Sequence, residues 1–157
     1  MSQGPSVVRT SRTPRPPRTA RTVAEEHRVL HALRAEIEAV FKGKTLRRES
    51  GLDVVAVRLD ALRGPLCAHF DEEERAGLFE RVEEQAPEQA PACERLRREH
   101  EGLLVRLDAL RDATPEARRG PEWARGVRSF LDELGDHEAR ETDLLVRSLD
   151  DSGGAPD

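Results

Sequence analysis

The chain carries five histidines, and two of them open the same spacing. His69-Phe70-Asp71-Glu72-Glu73 and His137-Glu138-Ala139-Arg140-Glu141 are both His-x-x-x-Glu. Residues four apart lie one turn apart on the same face of an α-helix, so each motif aims an imidazole and a carboxylate at one point. His100 falls in a third helical pattern, and His27 and His31 in a fourth. Helices that each turn nitrogen or oxygen ligands inward are how a bundle builds a metal site in its core.

The elements needed to hold these residues are legible as apolar stripes. Helix 1 is expected from Thr22, an N-cap with Glu25 three residues on, to Phe41, with Lys42 and Gly43 as its stop. Val23, Leu30, Leu33, Ile37, Val40 and Phe41 form its stripe, and His27 lies nearer the centre of that stripe than His31. Helix 2 is expected from Leu52 to Glu84, with a kink or a fresh start at Gly64-Pro65, because proline removes an intrahelical bond and crowds the preceding turn. Helix 3 carries Cys93, Leu96, His100, Leu103, Leu107 and Leu110 at heptad-like spacing. Helix 4 steps through Trp123, Val127, Phe130, Leu134, His137, Glu141 and Leu144 or Leu145. Connections this short give an all-α, up-down-up-down four-helix bundle, and the number of inward imidazoles and carboxylates leads to the expectation of a di-metal site in its core.

Residues 1–21 hold Arg9, Arg12, Arg15, Arg18 and Arg21, four prolines and no acid. This Pro/Arg-rich tail lacks an apolar period and is expected to be disordered. The acidic tail over 150–157 is expected to be frayed or disordered too, leaving residues 22–149 as the folded unit. Of the net charge of −5, a +5 tail leaves −10 on the rest. An acidic body does not suit phosphate contact, so no nucleic acid is expected on the folded domain. Cys67 and Cys93 form no Cys-x-x-Cys pair and no disulfide framework. With no apolar leader and no run of membrane-spanning length, a cytoplasmic protein with no membrane contact is expected.

In helices 2, 3 and 4 the histidine occupies a position that the apolar period assigns to the core. One such residue is ordinarily a satisfied core histidine; three, two of them with a carboxylate on the same face, call for a compensating charge. A divalent cation supplies it; Arg34, on the stripe of helix 1, is the alternative. Matching the two motifs selects Glu73 rather than Asp71, Glu72 or Glu74, which are read as a solvated face. Glu138 points about 100° away from Glu141. Imidazole with carboxylate and no thiolate suits iron, manganese or zinc, and the donor count exceeds one tetrahedral zinc. No Glu-x-x-His of the ferritin type occurs.

Four stretches in order resemble the haemerythrin-like family, also called HHE cation-binding domains. They are Glu26-His27 with Leu30; His69 to Glu74 with Leu78-Phe79; Glu99-His100 with Leu103; and Leu134 to Glu141 with Leu144-Leu145. The resemblance implies a non-haem centre of two iron ions with an oxo or hydroxo bridge. His27, His69, His100 and His137 would be its terminal nitrogens, Glu73 and Glu141 its bridging carboxylates, and His31 a further possible ligand. Oxygen-carrying members have His-x-x-x-His on helix 3, and Leu104 stands where that second histidine would be. The pattern is similar to relatives linked to sensing of iron, O2 or NO and to oxidative or nitrosative stress. The expected function is binding or sensing of one of these small ligands rather than catalysis. The alternatives are a di-iron enzyme acting on peroxide or NO and a metal-free helical interaction module.

Overall fold

A computed structural model describes residues 20–43 and 48–151, with side chains over 28–43 and 51–148. The two tails expected to be disordered lie outside the described residues, except that Ala20 and Arg21 begin α1 and Asp150 and Asp151 end α6, where they are helical rather than disordered. The described residues are helical, with no strand among them. Four long helices, α1 (Ala20–Phe41), α2 (Arg48–Arg75), α4 (Ala90–Arg111) and α6 (Pro121–Asp151), are joined through two short ones, α3 (Leu78–Gln85) and α5 (Pro115–Arg118). α1 packs on α2, α2 on α4, and α4 on α6.

The helix ends have local causes. Past the C-terminus of α1, Gly43 takes a left-handed φ of 68° and its N–H reaches the Val40 carbonyl at 3.2 Å, which a side chain at that position would oppose. α4 and α6 begin on prolines in their first turn, where a missing N–H costs nothing. α5 is a single turn capped by Thr114, whose hydroxyl accepts from the Ala117 N–H at 3.2 Å.

Helix 2 departs from expectation. α2 runs unbroken through Pro65, so no fresh start occurs there. The break comes twelve residues later, where Gly77 adopts φ 65° and ψ 34°. A right-handed helix cannot continue through that conformation, and α3 follows as a separate helix. The expected single element to Glu84 is therefore two. α6 also extends to Asp151, two residues past the expected end at Leu149.

The core has two unequal parts. The larger joins Leu30 and Ile37 of α1, Leu59, Leu62, Leu66 and Phe70 of α2, Leu103 and Leu107 of α4, and Trp123 to Leu134 of α6. Each such side chain, fully buried, stabilises the fold by about 1.5–3 kcal/mol. The smaller part, Phe79, Val82, Cys93, Leu96 and Leu144, lies between α3, α4 and α6. Reading along α4, Leu96 belongs to the small cluster and Leu103 to the large one, with His100 between them. α6 passes in the same way from Leu134, through His137 and Glu141, to Leu144. The histidines thus occupy a polar layer between two apolar ones.

Candidate metal centre

Glu73 is the hub of that layer. His69, one turn earlier on α2, places Nε2 2.8 Å from Glu73 Oε1. From α4, His100 Nε2 stands 3.3 Å from the other oxygen, Oε2. The ring of His137, from α6, meets that of His100 edge-on, with centroids 4.9 Å apart. Donor atoms of Glu73, His100 and His137 lie within 4.8 Å of one another, and so do those of His69, Glu73 and Glu141. The two groups share Glu73, whose Oε1 meets His69 and whose Oε2 meets His100.

The imidazoles are backed from outside the cluster. His100 Nδ1 is 2.9 Å from Glu74 Oε1, and His137 Nδ1 is 2.9 Å from Glu99 Oε2. Glu99 Oε2 also accepts from Arg140 Nη2 at 3.0 Å. Phe70 lies flat on His100, with ring centroids 4.0 Å apart and planes within 8°, and meets His137 edge-on. The aromatic ring holds both imidazoles in orientation and closes the apolar side of the layer.

Burial and charge set the protonation. Burial raises the Glu141 carboxyl, and the adjacent Glu73 charge raises it further, to about 8. Burial also works to raise Glu73, but the His100 and His69 imidazoles outweigh it and hold the group at about 2. One of the two carboxyls is thus ionised and the other protonated. His137 is pushed below the usual imidazole range by burial, against the opposing pull of Glu99. A neutral imidazole is the form that binds a metal.

The donor set fits a cation. His137 is completely buried, and its Nε2 has no hydrogen-bond partner among the described residues. Nor does His100 Nε2, whose approach to Glu73 lacks hydrogen-bond alignment. Buried nitrogens left unbonded are costly, and both belong to a group whose donors converge on a volume the size of one ion. Arg34, the alternative counter-charge, goes elsewhere: it pairs with Glu138 at 2.6 Å and Glu38 at 3.1 Å.

Of the residues singled out by spacing, the structure brings together His69, Glu73, His100, His137 and Glu141. The His27 side chain lies outside the described residues. His31 is exposed and lines an open pocket of about 410 Å³ with His69, Glu73, Glu138 and Glu141. Leu104 is half-buried against the larger core. Sequence reasoning missed the roles of Glu74 and Glu99. Glu74, expected on a solvated face, is half exposed yet reaches His100. Both contacts cross between helices, and no periodicity within one helix signals them.

Such a layer defines an all-helical domain whose buried imidazoles and carboxylates suit a cation. Residues 18–149 match the family model of the hemerythrin HHE cation-binding domain, and the chain belongs to that family. Comparisons with curated proteins and with solved structures returned no match.

Proposed function

We propose that this protein holds two iron ions in its polar layer and binds or senses a small ligand there, O2, NO or iron itself. The supporting observation is the shared Glu73, which belongs to both donor groups and meets His69 with one oxygen and His100 with the other. In this reading His100 and His137 hold one ion and His69 with Glu141 the other, with Glu73 common to both. His27 completes the nitrogen set from α1, and His31 is a further ligand only if it turns in from the pocket mouth. The four long helices alternate in direction, and residues 22–149 are the folding unit.

Two irons supply redox-active positions able to take a diatomic ligand. The chain's own residues do the rest. Glu73 and Glu141 together offset part of the positive charge, and Glu141 must give up its proton to do so. Phe70 and the larger core exclude water from one side of the layer. A pocket borders His69, Glu73 and Glu141, which are themselves buried. At Leu104 there is no second imidazole one turn along α4, which leaves a coordination position free for an incoming ligand and favours sensing over reversible carriage.

The test is metal content after anaerobic reconstitution with ferrous iron, followed by absorption spectra with and without NO. Close to two irons per chain and an NO-dependent spectral change are expected. A chain that retains one zinc and takes no iron overturns the reading.

A further inference from the structure

We infer that Glu99, held by Arg140, is the positioning residue that fixes the tautomer of His137 and so presents its Nε2 to the metal centre; this rests on the centre proposed above. A neutral imidazole carries a single N–H. When Nδ1 donates that hydrogen to a carboxylate, the lone pair is left on Nε2. His137 has this arrangement: Nδ1 lies 2.9 Å from Glu99 Oε2, while Nε2 has no partner among the described residues and converges with Glu73 and His100. Remove the carboxylate, and the hydrogen is free to move to Nε2, where Glu73 is the nearby acceptor. The lone pair then points at α4 rather than into the layer.

The supports pass from helix to helix. Glu74 on α2 backs His100 on α4, and Glu99 on α4 backs His137 on α6. Glu99 directly precedes His100 in sequence, yet it serves the histidine of the neighbouring helix. Arg140, next to Glu141 on α6, closes the second support by fixing the oxygen that accepts from His137. The first support has no such clamp: Glu74 is 48% exposed, against 33% for Glu99, and bonds no cation among the described residues. Glu99 is therefore the stronger of the two, and Arg140 is part of the reason.

The tautomer is read directly by long-range ¹H–¹⁵N correlation of the histidine-labelled, metal-free full chain. The parent and Glu99→Gln, whose amide oxygen still accepts, are expected to show His137 with hydrogen on Nδ1. Glu99→Leu is expected to show it on Nε2. In anaerobic competition for ferrous iron against a chromophoric chelator, Glu99→Leu should bind about 10–100-fold more weakly. Glu99→Gln and Arg140→Gln should fall between that variant and the parent. A purely structural Glu99 would lower thermal stability in the variants without moving the tautomer. Hydrogen on Nε2 in the parent overturns the inference, whether or not Glu99→Leu folds, and so does unchanged iron affinity in a folded Glu99→Leu. If the parent binds no iron at all, the di-iron reading fails, while the tautomer still decides whether Glu99 orients His137.

Discussion

The two ligand sets that meet at Glu73 are built on different terms. His100 and His137 are almost wholly buried, each is backed at Nδ1 by a carboxylate, and Phe70 fixes both rings. His69 and Glu141 are buried too and border a pocket, as His137 does on its own side, but Glu141 keeps a proton that a cation would have to displace. The two sides thus differ in the proton held at Glu141. Preorganisation lowers the cost of binding, so the His100/His137 side should fill first and the Glu141 side should respond to pH.

The most severe test of that contrast is Glu73→Ala, which removes the ligand common to both sides. Almost all iron should be lost on elemental analysis, while Glu72→Ala and Glu138→Ala keep the parent content. Equal loss in all three would mean that the acids act only through general charge. Glu141→Ala should be milder, keeping the iron of the His100/His137 side and losing that of the His69/Glu141 side. Complete loss in this variant would erase the distinction between the sides.

Proton linkage sharpens the contrast without metal. Glu141, raised from an ordinary 4.5 to about 8, stabilises the fold in its protonated form. That contribution is complete below pH 4.5 and disappears as pH rises through about 8. Glu73, lowered to about 2, contributes above 4.5 and loses its effect as pH falls towards 2. The Tm of the metal-free protein should therefore decline from about pH 5 to about pH 8 and level off above that, and Glu141→Gln should flatten that decline. A parent Tm that is level across this range would place Glu141 outside the coupling.

The smallest expected effect belongs to Leu104→His. Helix propensity changes by about 0.5 kcal/mol, with some packing against the larger core lost as well. The new imidazole, one turn after His100, should lengthen the life of an oxygenated form in stopped-flow mixing with air. A parent that already forms a long-lived, reversible adduct would show that the centre is complete without it.

The amphipathic periods of the four long helices were legible because each buries one stripe. The same periodicity put Glu73 beside His69, since both lie within one turn of one helix. Relations that depend on how helices are rotated against one another were not legible. Glu74 sits only one position beyond Glu73, yet it reaches His100 across the α2–α4 interface. Glu99 shows the same limit, its target being 38 residues further along the chain. A fresh start at Pro65 was expected because proline's lost donor is conspicuous in a sequence, whereas the helix restarts after Gly77. Pro65 nonetheless sits inside a helix held on both sides of it by Leu62 and Leu66 in the core. Gly77 breaks the helix through a backbone angle, which the residue permits but does not dictate.

That break has a consequence for timing. α3 is eight residues long, too short to persist as a helix by itself. Its order is borrowed from Phe79 and Val82, docked into the smaller cluster, where the Phe79 ring lies 5.8 Å from that of His100. Transient release of this segment costs less than unfolding the whole chain. Deuterium should therefore enter the amides of α3 well before those of α2, α4 and α6. Of the two aromatic rings beside His100, Phe70 is fixed by a long helix and Phe79 by this short one, so that side of the imidazole should open whenever α3 does.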